Sequence, residues 1–211
     1  MYSLPTIDDL KKLLDENPEL AGLNVTIPYK EQVIKFLSDI DNDAKKIGAV
    51  NVIKIQNGKL KGYNTDAAAF YESLEKWYPR SEKSRALILG TGGSSKAVQQ
   101  ALINLNIPFE LVSRDAKSGQ HTYESLKKDG SPISNANLII NTSPLGMSPN
   151  TNAYPAIDYD LLTSDHYVYD LIYNPARTMF LQRAEMRNAH FKNGLEMLHI
   201  QAEKSWNIRN N

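Results

Sequence analysis

Arg85-Ala-Leu-Ile-Leu-Gly-Thr-Gly-Gly-Ser-Ser-Lys-Ala-Val98 decides the fold. The apolar run Ala86 to Leu89 leads straight into Gly90, and a helical pattern begins at Ser94. Strand, glycine turn and helix, in that order, form the entry to a dinucleotide-binding βαβ unit. Gly90 supplies the tight turn, Gly92 lets a pyrophosphate approach the backbone, and the small Ser95 keeps the helix close to the strand. Unpartnered N–H groups at the helix start, aligned with its dipole, then hold the phosphates. Glycine spacing alone fits equally well a purely structural left-handed turn. The downstream residues favour the dinucleotide. A second β-rich run, Phe109 to Ser113, arrives about 20 residues after the glycines, where a reader of the ribose 2′ position sits. That spot reads Ser113-Arg114-Asp115, then Lys117. A hydroxyl followed by a guanidinium suits the 2′-phosphate of NADP, which arginine pairs bidentately, whereas an acid such as Asp115 suits NAD.

Composition narrows the classes. A chain of 211 residues fits one large domain or two small ones. Lys+Arg and Asp+Glu are equal at 24 each, so no basic footprint points to nucleic acid or an anionic membrane. The absence of cysteine excludes disulfides, thiolate metal sites and cysteine nucleophiles. His121, His166, His190 and His199 have no i, i+4 partner, which argues against a histidine-built metal site. No apolar run reaches about 18 residues and no signal pattern opens the chain. A soluble, cytoplasmic protein is expected.

Along the first half, Thr6 to Asp9 reads as a capping box, and Leu10, Leu13 and Leu14 line a helix that Asn17-Pro18 ends. Gly22 to Ile27 alternates as a half-buried strand stopped by Pro28. Lys30 opens a helix with Val33, Leu37 and Ile40 on its apolar side, and Ala44 to Ile47 adds a helical turn. Ala49 to Ile55, an Asn57-Gly58 turn and Leu60 to Tyr63 make a hairpin. Asp66 caps a helix that packs Phe70, Leu74 and Trp77 inward. Tyr78 to Ser84 is polar and aperiodic, a domain junction. The second half alternates strands (Ala86 to Leu89, Phe109 to Val112, Leu138 to Ile140, Tyr167 to Leu171) with helical spans. This alternation implies a parallel, doubly wound α/β sheet, closed by helices over Pro175 to Arg187 and Leu195 to Ile208.

Several polar residues of the first half stand where structure does not need them. Asn24 and Thr26 lie on the polar face of a strand, Lys30 just beyond it, Asn51 inside an apolar run, and Asn64-Thr65-Asp66 at a helix mouth. Taken singly, each has a plain reading: a solvated lysine, an N-cap, a bulge residue. The Asn141-Thr-Ser-Pro144 run reads equally as a cap.

Taken together, the array resembles shikimate dehydrogenase over nearly the whole chain. The resemblance rests on Asn24-Val-Thr-Ile-Pro-Tyr-Lys30, Ile47-Gly-Ala-Val-Asn51, Gly62-Tyr-Asn-Thr-Asp66, Gly90-Thr-Gly-Gly93, Asn141-Thr-Ser-Pro-Leu-Gly-Met147, Asp170-Leu-Ile-Tyr-Asn-Pro175 and Gly194-Leu-Glu-Met-Leu-His-Ile-Gln201, in the family's order. It implies an N-terminal α/β substrate-binding domain, residues 1–80 joined by the C-terminal helix 194–211, and a Rossmann-like NADP-binding domain, residues 81–193. Lys30 and Asp66 match the catalytic pair. Thr26, Asn51, Tyr173 and Gln201, with Asp66, match residues that hold the substrate's hydroxyls. Gly90, Thr91, Gly92, Gly93, Ser94, Ser113, Arg114, Lys117, Leu171 and Gly194 match the nucleotide side, and Asn42 falls near another cofactor position. The implied reaction is reversible reduction of 3-dehydroshikimate to shikimate by NADPH, in aromatic amino-acid biosynthesis, by a monomer or homodimer. Quinate is the alternative substrate, and a non-catalytic shikimate- or nucleotide-binding module is the alternative on the same fold.

The chain departs from the family in three places. The usual Gly-Ala-Gly-Gly-Ala-Ala reads Gly90-Thr-Gly-Gly-Ser-Ser95, and Lys117 comes one position early. The family's first strand and Ser-x-Ser loop, which grips the substrate carboxylate, have no match ahead of Met1-Tyr-Ser-Leu-Pro5. On that reading the Gly22–Ile27 strand lacks a neighbour, so poor turnover, retained NADP binding and self-association through residues 1 to 65 are expected.

Overall fold

The computed structural model describes residues 2–115 and 119–210. The Thr6 backbone N–H donates to Asp9 Oδ2 at 3.0 Å, completing the capping box ahead of α1 (Leu10–Glu16), which buries Leu10 and Leu13. β1 (Gly22–Asn24) runs antiparallel to β3 (Val52–Gln56), with Leu23 opposite Ile53. It is shorter than expected. Its last tie is the Val25 N–H on the Asn51 carbonyl at 2.8 Å, after which Thr26 accepts from Tyr29 in a turn around Pro28, which has no N–H to give.

The helix expected from Lys30 is instead a 3-10 turn, Gln32–Phe36, followed by β2 (Asp39–Ile40). Leu37 leaves the helical region at φ −88°, ψ 141°. The next backbone groups pair with β4 (Lys59–Tyr63): the Ser38 N–H bonds Leu60 O and the Asp41 N–H bonds Gly62 O, each at 2.9 Å. A neighbouring strand with free partners outcompetes a weak helical pattern. α2 (Asn42–Ile47) is capped by the Asp41 carboxylate and stopped by Gly48 at φ 69°. Asn57 (φ 51°) and Gly58 (φ 71°) turn the β3–β4 hairpin as read. The sheet order is β1-β3-β4-β2.

After α3 (Asp66–Glu75), the remaining strands build a second sheet. They are β5 (Ala86–Leu89), β6 (Phe109–Ser113), β7 (His121–Thr122), β8 (Leu138–Asn141), β9 (Tyr167–Asp170) and β10 (His190–Lys192). All pair in parallel, in the order β10-β9-β8-β5-β6-β7. β5 and β8 are fully buried and apolar except for Asn141 at the end of β8, as strands covered on both faces must be. The order reverses between β5 and β8, which opens a crevice at their carboxyl ends, where α4 (Gly93–Asn104) begins. β7 and β10, of 2 and 3 residues, were too short to show in the pattern, as were α5 (Tyr123–Lys128) and α6 (Ser131–Asn135). α7 (Met179–Glu185) starts at Met179 rather than near Pro175, because Thr178 caps it by accepting from the Leu181 N–H.

Two helices join the layers. α3 buries Ala69, Phe70 and Leu74 with Val98 and Leu102 of α4 and with Ile88, Ile140 and Tyr169 of the parallel sheet. α8 (Leu195–Asn210) adds Met197 to that core, while its Ser205 Oγ lies 3.0 Å from Thr65 Oγ1 and its Arg209 bonds Asn24 at the rim of the first sheet. The cleft between the sheets is therefore walled by elements that touch both.

Candidate active site

Lys30 Nζ and Asp66 Oδ2 form an ion pair at 2.7 Å, with side chains only 14% and 7% exposed. The Asp66 carboxylate is not a helix cap. Thr65 holds the N-cap position of α3, and the Asn64 side chain accepts the Ala67 N–H, leaving Asp66 free to face the cleft. Its other oxygen, Oδ1, accepts from Asn51 Nδ2 at 2.8 Å. Asn51 is likewise no bulge. Its backbone bonds both neighbouring strands, and its side chain clamps Thr65, accepting the N–H at 2.8 Å and donating to Oγ1 at 2.9 Å. Thr65 in turn meets Ser205 of α8. This chain of buried polar contacts holds a carboxylate and an ammonium in one fixed geometry, with each buried group partnered.

A cavity of about 440 Å³ is lined by Lys30, Asp66, Asn51, Thr26, Tyr173 and Gln201, so the residues matched to catalysis and to substrate share one space. Thr26 and Tyr173 are exposed, and their side chains make no hydrogen bond among the described residues. Hydroxyl and amide groups of this kind offer both donors and acceptors to a polyol. Leu171 and Gly194 line the same cavity. They touch so closely that a Cβ on Gly194 would stand 2.0 Å from the Leu171 carbonyl oxygen, which only glycine permits.

A second cavity, of about 490 Å³, is lined by Thr91, Gly92, Gly93, Ser94, Ser113 and Arg114. Its features fit a dinucleotide. Gly90 turns at φ 119°, α4 starts without a side-chain cap, and a Cβ on Gly92 would meet nothing within 4 Å. A ligand can therefore approach Gly92 closely, next to helix-start N–H groups that no side chain caps, as an anion site requires. Lys30, Ser94, Thr142 and Ser143 line both cavities and form the seam between them. Asn42 is exposed at the start of α2 and lines neither cavity. Lys117 lies outside the described residues.

Three features went unread in the sequence. Tyr123 lines the second cavity, where burial pushes its hydroxyl up to about 12 against the nearby Arg114 charge, so it stays a neutral donor. Ser143 lies on the seam, its N–H and hydroxyl both donating to Asn141 Oδ1; the Asn141-Thr-Ser-Pro144 run contained it but read as a cap. Asp170, fully buried at the end of β9, accepts from Thr178 Oγ1 (2.6 Å), the Ile172 N–H (3.1 Å) and Asn141 Nδ2 (3.0 Å). It therefore anchors both the 171–174 and the 142–145 walls.

Burial outweighs those three donors and holds the Asp170 carboxyl up, at about 6. Between about pH 4 and that value the folded chain keeps a proton the unfolded chain has lost. The stabilisation is full below pH ~4 and disappears as pH rises through ~6. Asp170→Asn keeps an acceptor for Asn141 and Ile172, offers an N–H to Thr178 and removes the titration. Wild-type Tm should accordingly fall relative to the variant as pH climbs from 4 to 7, by several degrees in thermal unfolding scans. A Tm difference that is flat with pH would mean that Asp170 does not titrate in this window.

Among the described residues no helix is long and apolar enough to cross a membrane, and no group of His, Cys, Asp or Glu is placed to hold a metal ion. Residues 3–53 match the family model described as the shikimate dehydrogenase substrate binding domain. Over 189 residues the chain is 42% identical to a shikimate dehydrogenase (NADP(+)) of Carboxydothermus hydrogenoformans, covering 84% of this chain and 68% of that protein. Shikimate dehydrogenase 1 of Peptoclostridium difficile is similar in structure, with a TM-score of 0.85 at 33% identity over 99% of this chain and 77% of that one. The shikimate 5-dehydrogenase of Thermus thermophilus, solved in complex with NADP(H) and shikimate, gives a TM-score of 0.81 at 27% identity, covering 97% and 79%.

Proposed function

The chain belongs to the shikimate dehydrogenase family, and on that premise we propose that it interconverts 3-dehydroshikimate and shikimate with NADP(H), Lys30 and Asp66 acting as the catalytic pair. The observation that carries the residue assignment is the 2.7 Å Lys30–Asp66 pair on the seam between a polar cavity and a glycine-turn cavity.

Thr26, Asn51, Tyr173 and Gln201 would hold the ring hydroxyls, and Asp66 would accept from the hydroxyl next to Lys30. The α4 start would hold the pyrophosphate, with Ser113 and Arg114 on the 2′-phosphate, and Leu171 and Gly194 would flank the nicotinamide end. NADPH supplies the hydride that forms the new C–H bond. As the carbonyl π bond breaks, its electron pair goes to oxygen, and the Lys30 ammonium gives that oxygen a proton. In the reverse direction the Lys30 amine takes the hydroxyl proton. Asp66 keeps the lysine in reach of that oxygen in either direction.

The same reading assigns residues 1–80 and 194–211 to the substrate and 81–193 to the nucleotide, with α3 and α8 serving both. It assigns the protein to the cytoplasm, as a monomer or homodimer, where NADPH-consuming biosynthesis runs. A spectrophotometric assay with shikimate and NADP, then with quinate and with NAD, tests it. NADPH formation from shikimate is expected. Formation from quinate alone would shift the substrate assignment, and tight binding of shikimate without turnover would favour a binding module.

A further inference from the structure

We infer that Ser94 is a positioning residue for Lys30, its hydroxyl holding the lysine ammonium against the first turn of the nucleotide-binding helix. The inference rests on Lys30 being the proton carrier proposed above, and goes further by giving a residue of the nucleotide cavity a role in the proton transfer.

Lys30 Nζ lies 3.3 Å from Ser94 Oγ and 2.7 Å from Asp66 Oδ2. An ammonium has three donors. Two are committed here, to groups on α4 and α3, which leaves one for an oxygen in the cavity. The stem of the lysine is pressed on the same turn, since a Cβ on Gly93 would stand 3.1 Å from Lys30 Cβ. Its carbonyl accepts the Val50 N–H at 2.8 Å. Backbone, stem and tip are thus held by four neighbours, Val50, Gly93, Asp66 and Ser94, two of them on α4. Two residues after Ser94, Lys96 of α4 pairs with Glu31, tying the same two segments again at the surface.

Asp66 alone would leave the ammonium free to rotate about its single anchor. A second acceptor on another helix fixes the direction of the remaining N–H, and geometric precision of this kind acts on turnover more than on binding. Because the acceptor sits on the seam lined by both cavities, the turn that holds the phosphates also holds the lysine.

The test uses the whole chain with Ser94→Ala and Ser94→Thr, measuring kcat, KM for shikimate and the Kd for NADP by calorimetry. Loss of one long hydrogen bond from the ammonium, 3.3 Å here, corresponds to about 3- to 10-fold. We expect Ser94→Ala to lower kcat at saturating NADP by that factor, whatever the change in NADP Kd, and Ser94→Thr, which keeps the hydroxyl, to restore it. Unchanged kcat in Ser94→Ala, or a rise in the NADP Kd alone, overturns the inference and returns Ser94 to the nucleotide. A readout that needs no turnover is the ¹⁵Nζ resonance of Lys30, assigned with Lys30→Ala. It should move in Ser94→Ala and not in Ser94→Thr, and a resonance indifferent to Ser94→Ala overturns the contact. A wild type without shikimate turnover would count against the assigned reaction, and the Lys30 resonance would still decide the Ser94 contact.

Discussion

Lys30→Ala should lower kcat by about 10²–10⁴, the usual loss when a positioned general acid–base is removed, while KM for shikimate should change much less. The geometry behind this is specific. Lys30 is the cation on Asp66, its side chain is 14% exposed, and it lines both cavities. The substitution also strips Asp66 of its ion partner and leaves that buried carboxylate with Asn51 Nδ2 alone, so some loss of stability accompanies the loss of turnover. The two effects separate in experiment. Turnover is measured below the variant's own unfolding transition, and circular dichroism at the assay temperature reports whether the fold is retained. A folded Lys30→Ala protein with near-normal kcat would reduce Lys30 to a structural partner of Asp66 and remove it from the chemistry.

Arg114→Ala should weaken NADP by about 1.5–3 kcal/mol, or roughly 10- to 150-fold, if its guanidinium makes a charged hydrogen bond to the 2′-phosphate. NAD, which lacks that phosphate, should lose far less. Arg114 is exposed, lies just past the end of β6 and lines the glycine-turn cavity beside Ser113. The Tyr123 hydroxyl on the wall of that cavity feels its positive charge. Calorimetric titration of the variant with NADP, NAD and 2′,5′-ADP gives the comparison directly. Equal losses for NADP and NAD would mean that Arg114 stacks on the base or props the loop and does not read the phosphate.

The parts of this molecule that were legible in the sequence are those written in local pattern. The run into Gly90 became β5 with the bounds read for it, and Asn57-Gly58 turned its hairpin with both residues at positive φ. Lys30, Asp66, Asn51, Thr26, Tyr173 and Gln201, gathered by resemblance from across the chain, line one cavity. What failed was local reading where a distant neighbour had the larger say. Val33, Leu37 and Ile40 have helical spacing, yet the open edge of β4 drew Asp39 and Ile40 into a strand. β7 and β10 exist because β6 and β9 offer them unpaired edges, and 2 or 3 residues carry no period to detect.

The polar residues show the same division more sharply. A helix-mouth aspartate reads as a cap because capping is a contact within a few residues. Asp66 instead bonds Lys30, 36 positions earlier, and Lys30 bonds Ser94, 64 positions later. Asp170 looks in the sequence like the end of a strand, and only the packing of β8, β9 and the Thr178 cap around it makes it a buried carboxyl held near 6. Backbone period and turn chemistry act over three or four residues, so composition and order along the chain were enough for the α/β alternation and the glycine turn. Burial is a property of the assembled layers. It removes water from a charge and makes an unpaired one costly, so the choice of partner for each buried carboxylate was left to whichever distant side chain the packing brought within reach.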